Sequence, residues 1–121
     1  MAHLHMNISI RLNRPMRIAC DDVKHLILVD DWRISLSPKQ YQIFRSFFIE
    51  KGDEYSAAQH LRVVSFVTKK RLLSSVHISE VALRKQISNL NNRLRPYGIQ
   101  IQPLRDSYLL MITEQTQYQA D

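Results

Sequence analysis

The sequence predicts a small α+β fold in which short antiparallel strands precede three helices and a C-terminal β-hairpin. Three observations predict it. Residues 7–36 hold alternating apolar and polar segments separated by turns, a strong helix start follows at Ser37, and residues 80–112 combine an amphipathic segment, a Pro/Gly turn and a second alternating pair. The predicted order is ββββ-α-α-α-ββ in a single domain spanning residues 1–121, with its core in about 7–112 and a polar tail at 113–121.

Four N-terminal strands are predicted from period-two alternation. Turn-forming residues separate them, namely Asn13 to Pro15, Asp21-Asp22 and Asp30-Asp31. Because these segments alternate, they suit a four-stranded antiparallel sheet with one covered face. The predicted strands are residues 7–12, 16–20, 25–29 and 32–36.

The first helix has the best-defined start in the chain. Ser37 is a suitable N-cap, Pro38 occupies the first helical position and Gln40 lies three residues after the cap. The helix is predicted to run to Lys51, with Gly52 as the C′ residue. Aromatic residues spaced three and four apart give it one face for the core: Tyr41, Phe44, Phe47 and Phe48.

The sequence gives clearer start and end signals for the third helix than for the second. Ser56 is predicted to cap a second helix reaching about Val64, and residues 65–78 are predicted to be mostly loop. Ser79 is predicted to cap a third helix over residues 80–94, which Pro96 ends by steering Arg95 out of the helical region. Residues 99–101 and 104–112 are predicted to be the arms of a hairpin.

Positive charge is concentrated in one block. Between Leu61 and Arg105 lie nine Lys or Arg residues and one acid, Glu80, so this block carries +8 while the rest of the chain carries −2. The total of +6 therefore arises here, and a polyanion is the expected partner. The third helix, about 22 Å long at 1.5 Å per residue, is long enough to cross a DNA major groove.

One face of the third helix is predicted to be buried and the opposite face to contact a partner. The apolar stripe is Leu83, Ile87, Leu90 and Leu94. Asn and Gln side chains can pair with an adenine edge, and Lys can approach guanine acceptors, so the opposite face is predicted to contact base pairs. An ordinary solvated helix face has the same pattern, and that alternative stays open. The predicted base-contacting residues are Lys85, Gln86, Ser88, Asn89 and Asn92.

Two strings resemble the winged helix-turn-helix effector domain of OmpR/PhoB-type response regulators. They are Val29 to Tyr41 (VDDWRISLSPKQY) and Ile87 to Tyr108 (ISNLNNRLRPYGIQIQPLRDSY), and the likeness covers about residues 7–112. The resemblance implies sequence-specific binding of double-stranded DNA by a bacterial transcription regulator in the cytoplasm. It also implies pairing on direct repeats and contact with RNA polymerase through residues 65–78.

The resemblance further implies that the hairpin is a wing whose Arg105 enters the minor groove or meets the backbone. Other cations of the basic block are expected to contact phosphates. Those residues are Lys69, Lys70, Arg71, Arg84, Arg93 and Arg95.

Departures from the family pattern support a second hypothesis. This chain has Asn89, Asn91 and Asn92 where the family usually has arginines, and its wing tip lacks glycine and places Asp106 beside Arg105. A winged-helix module that binds protein instead of DNA is therefore the alternative. A third hypothesis is a fragment of a two-domain regulator without its receiver, which residues 1–25 disfavour because they supply the first strands and leave no linker.

Other classes of function lack support in the sequence. Cys20 is the single cysteine, and histidines 3, 5, 25, 60 and 77 form no convincing metal-binding spacing. Phosphate-binding loops and nucleophile motifs are missing from the sequence. No apolar run approaches the length of a membrane span. We therefore expect a non-enzymatic, cytoplasmic protein with no metal and no cofactor.

Overall fold

The computed structural model describes residues 16–48, 54–57 and 63–112, with the backbone alone for 54–57. The predicted strand at 7–12, the predicted C′ residue Gly52 and the tail at 113–121 lie outside these ranges. Within them the elements in chain order are β1 Met16–Asp21, β2 Leu26–Val29, β3 Trp32–Ser35, α1 Pro38–Ser46, β4 Glu54–Ala57, β5 Val63–Thr68, α2 Lys69–Val76, α3 Glu80–Leu94, a 3-10 turn Arg95–Tyr97, β6 Ile99–Leu104 and β7 Ser107–Ile112.

The N-terminal sheet contains three of the four predicted strands. Its order is β3-β2-β1-β4 and all its pairs are antiparallel. The strand beside β1 comes from residues 54–57, after α1, so among the described residues the fourth strand is not the one predicted. Asp21 forms the expected turn, since its Oδ1 accepts the amides of Val23 and Lys24 at 3.0 and 3.1 Å.

Asp22 does more than form a turn, because it joins the sheet to α1. Its carboxylate accepts hydrogen bonds from the Tyr41 hydroxyl and, at 3.1 Å, from Arg45 Nε. The Tyr41 hydrogen bond is the main reason that the pKa of Asp22 is lowered. Burial, together with the Asp22 bond, raises the pKa of Tyr41.

The start of α1 is confirmed and its end is earlier than predicted. Ser37 Oγ accepts the Gln40 amide at 3.2 Å and Gln40 Oε1 accepts the Ser37 amide at 3.1 Å, which completes a capping box. The helix ends at Ser46, with Phe47 as its C-cap. Phe44 and Phe48 are fully buried, so the aromatic face packs into the core as expected.

Residues 54–68 correct the prediction of a second helix. Both ends of that predicted helix are strand instead, since Ser56 lies in β4 and Val64 lies in β5. Residues 65–78 are not a loop. Val63 to Thr68 is rich in β-branched and aromatic residues, which favour strands. A register shift between Val63 and Ser65 interrupts the alternation that would have revealed β5.

Within residues 69–97 the prediction of the third helix is confirmed and the predicted backbone conformation of Arg95 is wrong. The third predicted helix is confirmed as α3 over residues 80–94. Arg95 does not leave the helical region, since its φ and ψ are −56° and −41°. The chain tightens there into a 3-10 turn that ends at Gly98, whose φ is 81° and whose amide donates to the Arg95 carbonyl at 3.0 Å.

One apolar core joins both sheets to the helices in the described residues. It includes Ile27 of the first sheet, Phe44 of α1, Leu72 of α2, Leu90 of α3 and Leu110 of β7, all essentially inaccessible to solvent. β5, β7 and β6 form a second, three-stranded antiparallel sheet in that spatial order. None of the described helices is long and apolar enough to span a membrane.

Candidate nucleic-acid interface

A three-residue turn joins α2 to α3. Thr68 caps α2 by accepting the Arg71 amide at 3.2 Å, and Ser79 caps α3 by accepting the Ala82 amide at 3.1 Å. Between the helices, His77 adopts the left-handed conformation with φ 60° and ψ 51°. Two short helices joined in this way form a helix-turn-helix unit.

Lys39 of α1 supports the turn from outside the helix pair. Its Nζ donates to the carbonyl of Val76 at 2.7 Å, at the C-terminal end of α2. A lysine in this position satisfies a helix-terminal carbonyl that has no partner within the helix. The helix-turn-helix unit is therefore attached to α1 by a specific hydrogen bond as well as by the core.

The two faces of α3 have the environments predicted for them. Leu83, Ile87, Leu90 and Leu94 are buried. The opposite face is solvent-accessible, with Gln86 half-buried at its edge. The structure therefore brings together on one helix face the residues predicted to contact bases, and its exposed members are Lys85, Ser88, Asn89 and Asn92.

Asn91 belongs to the packing of the domain. Its Nδ2 donates to the Ile101 carbonyl at 2.8 Å, and its Oδ1 accepts the Ile101 amide at 2.7 Å. The side chain thus pairs with β6, an edge strand of its sheet, as another strand would. In the sequence Asn91 stands with Asn89 and Asn92 as a departure from the family pattern. Its spacing of four from Ile87 and three from Leu94 nevertheless places it beside the buried stripe.

Glu80 holds two of the predicted phosphate-contacting cations. Its Oε2 lies 2.9 Å from Lys69 Nζ and 3.5 Å from Arg84 NH1. The hydrogen bond to Glu80 raises the pKa of Lys69, and the hydrogen bond from Lys69 lowers the pKa of Glu80. The only acid within the basic block therefore links the first residue of α2 to the first two turns of α3.

The remaining predicted phosphate-contacting residues are exposed. Lys70 and Arg71 lie on α2, Arg93 lies near the C-terminal end of α3, and Arg95 follows it. Arg95 NH1 donates to Asn92 Oδ1 at 3.4 Å. A residue predicted to contact phosphate is therefore hydrogen-bonded to a residue predicted to contact a base.

The wing hairpin is longer on its first arm than predicted and has a two-residue turn. Leu104 pairs with Ser107, so Arg105 and Asp106 alone connect the strands. Arg105 is exposed at the tip and has φ 54°, a conformation that usually favours glycine. The Lys69 amide donates to the Asp106 carbonyl at 2.6 Å, which ties the wing tip to the start of α2.

Other candidate sites do not assemble in the described residues. No group of three or more His, Cys, Asp or Glu side chains within those ranges has metal-binding geometry. Cys20 is half-buried in β1. His3, His5 and His60 lie outside the described ranges.

A comparison with protein families finds a match to a model described as the Mga helix-turn-helix domain, over residues 37–109. No curated protein and no solved structure matches the chain. The family match supports a DNA-binding helix-turn-helix domain of a regulator, whereas the OmpR/PhoB type is a finer assignment and stays a prediction. The matched range begins at the Ser37 cap of α1, contains α2 and α3, and covers more than half of the chain. The protein therefore belongs to the Mga helix-turn-helix domain family.

Proposed function

We propose that this domain binds double-stranded DNA sequence-specifically, as part of a bacterial transcription regulator. One observation carries the proposal: the face of α3 opposite the core exposes Lys85, Ser88, Asn89 and Asn92 within the basic block. Amide side chains of this kind can pair with adenine, and lysine can pair with guanine acceptors. The family match supports the same class of function.

In this proposal α3 lies in the major groove and the surrounding cations contact the sugar-phosphate backbone. Lys70 and Arg71 approach one strand from α2, and Arg93 and Arg95 approach the backbone beyond the C-terminal end of α3. Arg105 extends from the wing tip to the minor groove or its flanking phosphates. Gln86, at the edge of the exposed face, contacts a flanking base.

The finer features of the proposal follow from the OmpR/PhoB resemblance. They are a winged helix-turn-helix mode of binding, pairing of domains on direct repeats and a cytoplasmic location. Contact with RNA polymerase through residues 65–78 is part of the same proposal. This contact would involve β5 and α2, since those elements occupy the segment predicted to be mostly loop.

The experiment that tests DNA binding needs no knowledge of the operator. Fluorescence anisotropy of the purified protein with a random-sequence duplex is measured across a salt series. We expect micromolar binding whose log-log dependence on salt corresponds to roughly four or more released phosphate counterions. Failure to bind at low salt would contradict the proposal.

Asn89→Ala tests sequence recognition on duplexes selected from a random pool. Asn89 is exposed, so its loss should leave the fold intact. We expect a loss of about 1–3 kcal/mol at one base pair and nearly unchanged binding to random DNA. An equal loss on every sequence would show that Asn89 has no role in base recognition.

A second candidate function, binding to another protein, is favoured by the outer face of the second sheet. Phe66 on β5 is 63% exposed there, and Val63 and Leu104 on the same face are about half exposed. An open groove of about 420 Å³ runs along β5 from Val63 to Thr68 and reaches Arg71. An exposed aromatic residue beside a groove is typical of protein-binding surfaces.

Charge reversal separates the two functions. If the domain binds protein, Lys85→Glu and Arg93→Glu should leave its cellular activity intact, while Phe66→Ser should abolish it. If it binds DNA as proposed, the two charge reversals should abolish activity. Leu72 is unsuitable for this test because it is fully buried, and its replacement would unfold the domain.

A further inference from the structure

Val81 is an exposed apolar residue on the face of α3 proposed to contact DNA. It is the second residue of the helix, its surface is 68% accessible, and it lies outside the buried core. It precedes Lys85 by four residues, Asn89 by eight and Asn92 by eleven. At 3.6 residues per turn these spacings place all four on the side opposite the buried stripe.

Local helix energetics give no reason for valine at this position. A β-branched side chain loses rotamer freedom in a helix, and the first turn of a helix favours acidic residues over apolar ones. Single exposed apolar residues are common on protein surfaces, so exposure alone carries no argument. What distinguishes Val81 is its place in the first turn of the helix proposed to enter the groove, one turn before Lys85.

We propose that Val81 contacts the C5-methyl group of a thymine in the major groove. This inference rests on the proposed DNA-binding function. The methyl group is the apolar feature that thymine presents in that groove, and recognition helices contact base edges chiefly through their N-terminal residues. An isopropyl side chain has no hydrogen-bonding group, so shape and burial of the methyl group provide the discrimination.

Neighbouring side chains complete a consistent pattern of recognition. Lys85 suits a guanine and Asn89 suits an adenine, and Val81 adds preference for thymine at a position closer to the start of the helix. Val81 therefore contributes specificity without contributing charge. Its loss should change which sequences are bound and leave the salt dependence of binding unaltered.

The test removes a single methyl group from the DNA. In a duplex selected from a random pool, each thymine in turn is replaced by deoxyuridine, and binding is measured by anisotropy. We expect one or two thymines at which this replacement weakens binding of the unmodified protein by about threefold to tenfold, as burial of one methyl group predicts. Val81→Ala should lose this discrimination, whereas Val81→Ile should retain it.

Val23→Ala is the matched control, because Val23 is 90% exposed in a turn of the N-terminal sheet. It should preserve the thymine preference in full. The assignment would be overturned, while DNA binding stands, if deoxyuridine left the binding affinity unchanged at every position. It would also be overturned if Val81→Ala discriminated between thymine and deoxyuridine as well as the unmodified protein does. Absence of binding to any duplex in the salt series would instead overturn the proposed function and this assignment with it.

Discussion

The two ends of α3 are attached to the rest of the domain by different kinds of contact. At the N-terminal end, Glu80 forms a surface ion pair with Lys69 of α2, and it also contacts Arg84 one turn further along α3 itself. At the C-terminal end, Asn91 forms two hydrogen bonds with the backbone of Ile101, and the amide group is half-buried. One attachment uses charge that is open to solvent, and the other uses neutral groups partly shielded from it.

Because of this difference, the contacts at the N-terminal end of α3 can change when salt or DNA is added, whereas those at the C-terminal end are expected to persist. Salt screens exposed charges, and a DNA phosphate can compete with Glu80 for both cations. Neither salt nor phosphate competes for the Asn91 bonds. We therefore expect the angle between α3 and the wing to be the same in free and bound protein. Lys69 and Arg84 stay paired with Glu80 unless a phosphate displaces its carboxylate.

The largest expected effect is the loss of the Asn91 attachment. Asn91→Ala leaves the Ile101 amide and carbonyl without their partner, which should lower the free energy of unfolding by about 2 kcal/mol. Urea denaturation measures the change. Asn89→Ala is the matched control, since Asn89 is exposed on the same helix, and its effect should stay within about 0.5 kcal/mol. Similar losses from the two variants would show that the Asn91 contact does not stabilise the fold.

A smaller effect, on DNA binding, is expected from a change at the N-terminal end of α3. Glu80→Gln releases Lys69 and Arg84 for phosphates, so binding to random DNA should tighten by about threefold to tenfold at low salt. The log-log salt slope should steepen by roughly 1 to 2, since each added phosphate contact contributes about 0.9. Anisotropy across a salt series measures both quantities.

Asp31→Asn is the control for the change at Glu80, because it adds the same charge at an exposed residue of the N-terminal sheet turn. A gain equal to that of Asp31→Asn would assign the effect to net charge alone. Weaker binding by Glu80→Gln would show instead that Glu80 orients the two cations for DNA.

The smallest expected effect is the pH dependence of the Glu80 contact. The hydrogen bond from Lys69 holds the pKa of Glu80 below its usual value of 4.5, so the stabilisation is present above that pH and is lost as pH falls through the folded pKa. The raised pKa of Lys69 gives stabilisation that is fully present below pH 10.5 and is lost only at higher pH, so it adds no pH dependence between pH 3 and 7. Comparing thermal midpoints of the unmodified protein and Glu80→Gln from pH 3 to 7 should therefore show a difference that closes at the acidic end. A difference independent of pH would contradict the ion pair.

The sequence by itself determined the elements whose signals are local. Ser37, Pro38 and Gln40 specify the start of α1 through contacts within four residues, and Ser79 does the same for α3. The apolar stripe of α3 likewise predicts which face is buried, because helical periodicity depends only on spacing. The residues proposed to contact DNA followed from that one stripe.

Tertiary structure decided the elements that depend on distant partners. β5 forms because Phe66 and its neighbours pair with β7, more than forty residues later, and β4 pairs with β1 across α1. The Asn91 contact with Ile101 and the Lys69 contact with Glu80 likewise join separate elements. A strand or a side-chain bridge of this kind is stabilised by its partner, so its own residues carry only part of the information that specifies it.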